Sequence, residues 1–215
     1  PENHREVLLR KELIMQERSE SDGRRWSIVL AGDEGVRMQP TIRRWLGRAA
    51  PQQYSRFVGP QSLFQHTLDR TMRFTNPART VVVVSRGHRE AWAEIGARDP
   101  GMVLVQPRDV DTAPGIFLPL TYIRARDPHG RVVISSSDHY VFPEERFLGE
   151  VIFAIRAAEK VPTRLLLLAA RPTGPETDAG WIKPGGDLAH FITRPIRAVA
   201  RFVEKPEPAL AQLAY

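Results

Sequence analysis

The chain has 215 residues, of which 42% are hydrophobic and 26% charged, enough for one domain with a sizeable core and ordinary for a globular protein. No apolar stretch approaches the roughly 18–20 residues needed to cross a bilayer, so a membrane partner is not expected. Cysteine is absent, which excludes disulfides, thiolate metal sites and a cysteine nucleophile and suits a reducing cytoplasm.

Residues 1–25 form a charged arm, read as an amphipathic helix carrying Val7, Leu8, Leu9, Leu13, Ile14 and Met15 or as a leader, without the apolar segment of a secretory signal. Positive and negative charges balance within the arm, so the net charge of +6 lies in Trp26–Tyr215. A positive body suits anionic ligands such as nucleotides and sugar phosphates. Nucleic acid is not expected, because no Lys/Arg stripe interleaved with aromatics is present.

From Trp26 the elements alternate. Strands are predicted at Ser27–Ala31, at Thr80–Ser85 with its four valines, at Met102–Gln106, at Arg131–Ser135 and at Arg164–Ala169. Helices are predicted at Gln61–Phe74, at His88–Ala97, at Thr112–Arg126 with an interruption near Pro119, and at Pro143–Glu159. Such alternation predicts βαβ units, hence an α/β fold with a mainly parallel sheet and helices on both faces. Arg171–Phe191 is rich in Pro and Gly, with Trp181-Ile182 as a short strand. A strand at Ala198–Val203 and a helix from Pro208 to Tyr215 follow. Residues 26–215 are read as one domain.

Four segments carry the chemistry, and each has a plain structural alternative. Gly32–Pro40 follows the first strand. Its glycines let amide N–H groups approach phosphate oxygens and Arg37 adds a cation, although an ordinary strand-to-helix turn looks the same. Asp138, with His139, leaves a strand among serines, where a carboxylate can meet Mg²⁺ on a phosphate or simply make a turn. Thr112 ahead of Ala113 and Pro114 starts a helix whose N-terminus can receive an anion or a base edge, or serves as a plain N-cap. Glu204-Lys205 can engage a sugar phosphate or form a surface ion pair.

Their order resembles the sugar-phosphate nucleotidyltransferases, and most closely the mannose-1-phosphate guanylyltransferases. The family's Leu-Ala-Gly-Gly-x-Gly-Thr-Arg-Leu-Trp-Pro resembles Leu30-Ala31-Gly32-Asp33-Glu34-Gly35-Val36-Arg37-Met38-Gln39-Pro40, and its Pro-Lys-Gln-Phe resembles Pro51-Gln52-Gln53-Tyr54. Ser62 to Arg70 matches its Ser-Leu-Leu-Gln-x-Thr-Leu-x-Arg, and Val110-Asp111-Thr112-Ala113-Pro114-Gly115 resembles its Arg-Asn-Thr-Ala-Pro-Ala. Asp138-His139, Gly180-Trp181-Ile182 and Phe202-Val203-Glu204-Lys205-Pro206 complete the series over Trp26–Tyr215.

The resemblance implies a Rossmann-like, glycosyltransferase-A-like nucleotidyltransferase fold. It also implies that a sugar 1-phosphate attacks a nucleoside triphosphate, GTP on the closest pattern, with Mg²⁺ as cofactor and pyrophosphate leaving. By match, Gly32, Asp33, Gly35, Val36, Arg37 and Gln52 stand where the triphosphate binds. Asp111, Thr112, Ala113 and Pro114 stand by the base, Gly180, Glu204 and Lys205 by the sugar phosphate, and Asp138 at the metal. Arg37 and Lys205 carry the catalytic charge. A cytoplasmic location and a homo-oligomer are compatible with this reading.

Three positions depart from the pattern: Asp33 for the second glycine, Val36 for threonine and Gln52 for lysine. All three weaken triphosphate binding, so a degenerate relative that binds nucleotide or nucleotide sugar without turnover, or serves as a regulatory module, is the alternative. The resemblance also implies a domain continuing past Tyr215, with an asparagine for the sugar and an aspartate sharing the metal.

Overall fold

The computed structural model describes residues 24–108, 111–191 and 194–215. The arm expected at residues 1–25 therefore lies almost wholly outside the described residues. The chain divides into two compact units, Pro1–Leu148 and Gly149–Tyr215.

The first unit is built on four parallel strands, β1 (Arg25–Ala31), β2 (Thr80–Ser85), β3 (Met102–Gln106) and β4 (Arg131–Ser136), in the order β3-β2-β1-β4. Between them run α1 (Gln39–Leu46), α2 (Leu63–Thr71), α3 (Arg89–Ile95) and α4 (Thr112–Arg126), and α5 (Glu144–Lys160) follows β4. Every residue of β2 is buried, as expected for a strand covered on both faces, whose sequence is a continuous apolar run rather than an alternation.

Alternation along β1 divides the core. Val29 and Ala31, with Val82 and Val84, pack against Phe64 and Leu68 of α2 and Ala91 and Ile95 of α3. Trp26 and Ile28, with Val81 and Val83, pack on the other face against Ile123 and Leu120 of α4. Helices thus cover both faces. Phe64 is completely buried, so Phe64→Ala is expected to cost about 3–5 kcal/mol in chemical denaturation, through lost apolar burial and the cavity left behind. A loss below about 1 kcal/mol would contradict this packing.

Local chemistry sets the helix ends. Ser62 caps α2 by accepting from the Gln65 amide at 3.0 Å, while the Gln65 side chain accepts from the Ser62 amide at 3.1 Å, a reciprocal capping box. On α4 the cap is Asp111, whose carboxylate accepts from the Thr112 amide at 2.6 Å, so Thr112 is the first helical residue rather than the cap. The expected interruption near Pro119 does not occur, and α4 continues through it. The helix α1 was not anticipated from the sequence. Its Pro40 lies in the first turn and Gly47, at φ +68°, closes its end.

The second unit carries an antiparallel hairpin, β5 (Trp181–Phe191) with β6 (Arg194–Val203), and then α6 (Pro208–Ala214). The expected two-residue strand at Trp181 is far longer, and its register shifts around Pro184 and Asp187 show how proline and the adjoining glycines are accommodated as irregularities. The strand expected at Arg164–Ala169 is absent. Those residues are irregular, with Leu165, Leu167 and Leu168 exposed. Apolar composition was the basis of that expectation, but a strand exists only through hydrogen bonds to a neighbour, and this segment pairs with no strand among the described residues.

Candidate active site

The chain leaves β1 for β2 and β3 on one side, then returns to the other side as β4. The order therefore reverses between β1 and β4, where ligands of open parallel sheets collect beyond the carboxyl ends of the strands. A cleft of about 660 Å³ opens there. It is lined by Leu30, Gly32, Asp33 and Gly35 at the end of β1, Gln52 and Gln53, Val83, Gln106, Asp111, Thr112 and Gly115 by the start of α4, and Ser136, Ser137 and Asp138 at the end of β4.

Four consecutive carbonyls fix the loop after β1. The Ala31 carbonyl accepts from Gln53 Nε2 at 3.1 Å and from the Tyr54 hydroxyl at 3.0 Å, and the His88 Nδ1 lies 3.2 Å away. The Gly32 carbonyl accepts from the Ser85 hydroxyl at 2.8 Å, the Asp33 carbonyl from Gln53 Nε2 at 2.7 Å and the Glu34 carbonyl from Gln39 Nε2 at 3.0 Å. Gln53, Tyr54, Ser85 and His88 are all buried. Burial above all, and then the Glu90 carboxylate, raises the Tyr54 pKa far above the ordinary tyrosine value, so its hydroxyl remains a donor.

These peptides are trans. In a trans peptide the carbonyl and the next residue's N–H point in opposite directions. With the Ala31, Gly32 and Asp33 carbonyls held by buried side chains, the amides of residues 32–34 face the opposite way, a row of donors at the edge of the cleft that can attract anions. Space is tight beneath them. A Cβ on Gly32 would stand 2.8 Å from Gln106 Oε1, and Gly35, at φ +59°, would bring one to 3.1 Å from the Gln52 nitrogen.

Asp33 complicates this row. Its carboxylate accepts from the Gly35 amide at 2.7 Å, taking up one of the donors a phosphate would use. The wall carries three carboxylates, Asp33, Asp111 and Asp138, and no lysine or arginine among the described residues that line it. Gln52 is in the wall, where the family pattern has lysine.

Asp138 stands just beyond β4. The amide of Ser137 donates to the Leu30 carbonyl at 3.1 Å, which extends the β1–β4 ladder to this turn, and the Ser136 hydroxyl donates to Asp138 Oδ1. The exposed His139 ring lies 3.6 Å from the same oxygen. Among the described residues no three His, Cys, Asp or Glu side chains gather into a metal cage. One aspartate on a cleft wall nevertheless fits Mg²⁺, which is commonly held by one or two carboxylates while phosphate and water fill the other positions.

Of the residues expected from sequence, Gly32, Asp33, Gly35, Gln52, Asp111, Thr112 and Asp138 meet in this cleft. Val36 and Arg37 lie on the 3₁₀ turn Val36–Met38, exposed and outside its lining, and Ala113 and Pro114 lie in the first turn of α4. Gly180, Glu204 and Lys205 belong to the second unit, where a Cβ on Gly180 would meet Phe202 at 2.6 Å and Glu204 Oε2 at 3.0 Å. Lys205 Nζ lies 4.0 Å from Glu204 Oε1, with both side chains exposed. The residues that hold the loop, Gln39, Gln53, Ser85 and His88, were not anticipated as site residues. The available signal was polar side chains next to apolar strand ends.

A parallel sheet covered by helices on both faces, with a glycine-containing loop and a cleft at its switch point, defines an α/β protein of Rossmann-like type. A family model described as nucleotidyl transferase matches residues 26–214, and the chain belongs to that family. It is 32% identical over 189 residues to the xanthan biosynthesis protein XanB of Xanthomonas campestris, covering 86% of this chain and 38% of that protein. It is 27% identical to a mannose-1-phosphate guanylyltransferase of Escherichia coli, covering 86% of this chain and 39% of that protein. A crystal structure described as mannose-1-phosphate geranyltransferase from Thermus thermophilus superposes with a TM-score of 0.71 at 27% identity, covering 87% of this chain and 52% of that one. The chain thus spans about two fifths of the curated relatives' length.

Proposed function

We propose that the chain supplies the nucleotide site of a nucleotidyltransferase that joins a sugar 1-phosphate to the α-phosphate of a nucleoside triphosphate, with mannose 1-phosphate and GTP as substrates. The observation that supports this reading is the loop after β1, whose carbonyls are held by side chains of the fold and whose Gly32, Asp33 and Gly35 line the cleft together with Asp138. A sugar-phosphate oxygen forms the new bond to the α-phosphorus, the bond to the bridging oxygen breaks and pyrophosphate leaves. That displacement depends on in-line positioning and charge neutralisation more than on covalent help.

In this reading the loop amides hold phosphate oxygens and the start of α4, from Thr112 to Pro114, faces the base. Asp138 would hold Mg²⁺, which when bound would offset the phosphate charge. Arg37 adds positive charge near the loop, and Gly180, Glu204 and Lys205 take the sugar phosphate. Substrates of this kind and a chain without cysteine suit a cytoplasmic location.

A binder without turnover is the second reading, favoured by the Asp33 carboxylate on the Gly35 amide and by a wall without a cation among its described residues. One experiment separates the two. GTP with Mg²⁺ is expected to raise the melting temperature, since a ligand that binds only the folded state stabilises it. Mannose 1-phosphate should then release pyrophosphate. Stabilisation without pyrophosphate selects the binder, and no effect of any nucleotide removes both readings.

A further inference from the structure

Arg70, the last residue of the Ser62–Arg70 motif, lies on α2 with its side chain buried. Burying a charge is costly unless it is paired and hydrogen-bonded, and a short stretch after β4 supplies most of what Arg70 needs. Nη1 donates to Glu144 Oε1 at 3.3 Å. Nη2 donates to the Thr67 hydroxyl at 3.0 Å, which orients the group on its own helix, and to the His139 carbonyl at 3.5 Å. The guanidinium carbon stands 5.5 Å from the centre of the Phe147 ring. His66, four residues earlier and so on the same face of α2, packs edge-on against Tyr140 at 5.9 Å.

These partners bracket the irregular connection that runs from Asp138 to the start of α5 at Glu144. Its near end is tied to the sheet by the Ser137 amide on the Leu30 carbonyl. We propose that Arg70 is a positioning residue for the reaction. One buried guanidinium grips both the residue after Asp138 and the first residue of α5, and so sets where the Asp138 carboxylate stands in the cleft. Arg70 is outside the cleft lining and its charge is met by Glu144, so it acts through Asp138 rather than on a ligand. Arginine suits the task because its planar fork serves several acceptors at once. The effect on turnover rests on the nucleotidyltransferase reading of the cleft, whereas the anchor does not.

The test combines hydrogen–deuterium exchange of the ligand-free protein with steady-state kinetics in GTP, mannose 1-phosphate and Mg²⁺. Arg70→Met, which keeps an unbranched side chain and removes the fork, is expected to speed exchange over residues 137–148. It should lower kcat on the order of tenfold and raise the Mg²⁺ concentration at half-maximal rate, with the KM for GTP nearly unchanged, since supporting residues act through the groups they orient. In an Asp138→Asn background the same substitution should cost less than about twofold, as for two residues acting through one group. Arg73 is the control. It meets Glu144 at 3.4 Å and Glu145 at 2.7 Å from the surface, so Arg73→Ala should leave kcat near the wild-type value. Should Arg70→Met fail to fold, Arg70→Lys replaces it: the charge stays for Glu144, but one ammonium cannot span Thr67, Glu144 and the His139 carbonyl together. Unchanged exchange over residues 137–148 in a folded Arg70 variant would overturn the proposal. So would a kcat loss as large in the Asp138→Asn background as in wild type, or an equal loss in Arg73→Ala. A wild-type protein without turnover would remove the reading of the cleft, and the exchange result would still decide the anchor.

Discussion

Replacing Asp33 by glycine together with Gln52 by lysine is expected to lower the KM for GTP by one to two orders of magnitude and to raise turnover. Both positions are in the cleft wall, whose described residues otherwise offer a triphosphate two more carboxylates and no cation. Two like charges about 4 Å apart repel by about 1 kcal/mol in water and about 4 kcal/mol at the intermediate dielectric of a protein surface. Each 1.4 kcal/mol recovered is about a factor of ten in affinity. Removing Asp33 also frees the Gly35 amide, now held at 2.7 Å by that carboxylate. Asp33→Asn separates the two effects, since its amide oxygen can still accept from Gly35 while the charge is gone. If the asparagine variant matches the glycine variant, repulsion dominates; if only glycine helps, the occupied amide does. Steady-state kinetics at fixed Mg²⁺ that show no change in the double variant would exclude both causes.

Asp138→Asn is expected to cost pyrophosphate release about a thousandfold or more while leaving the fold intact. The side chain is partly exposed at the end of β4, so its charge contributes little to the core. A carboxylate that holds a cation against transferring phosphate is worth several kcal/mol in the transition state, and about 1.4 kcal/mol is a factor of ten in rate. Ser136→Ala should cost much less, on the order of tenfold, because its hydroxyl only orients Asp138 Oδ1. A rate for Asp138→Asn within a few-fold of wild type would take Asp138 out of the reacting centre.

Much of the first unit was legible in the sequence. The four valines of β2 and the apolar run of β3 mark strands because both are bounded by turn residues and too short for helices, and their bounds agree with the structure. The α/β architecture follows from their alternation with helices. The segment Arg164–Ala169 misled for the same reason: an apolar run announces burial in a sheet, but pairing depends on a distant neighbour. Long β5 was hidden by Pro184, Gly185 and Gly186, which read as a loop until the partner strand is known.

The site was legible where backbone or charge mattered. Gly32, Gly35 and Asp138 announce themselves by position after a strand. Gln53, Ser85 and His88 do not, because a polar residue that anchors a carbonyl looks in sequence like any other polar residue. Gln53 was visible in the Pro51–Tyr54 motif without a role, and the fold supplies it: one amide group bonds two loop carbonyls.

The direction of the loop amides is set by side chains from α1, the Gln52–Tyr54 turn and the end of β2, acting on the carbonyls of residues 31–34 rather than on the side chains at 33 and 36. The exposed Val36 side chain, outside the cleft wall, can therefore be exchanged without disturbing these anchors. Asp33 differs, because its carboxylate holds the Gly35 amide and sets the charge of the cradle from within. One backbone, held from behind by its carbonyls, can thus be retuned toward ligands of different charge through the side chain at position 33.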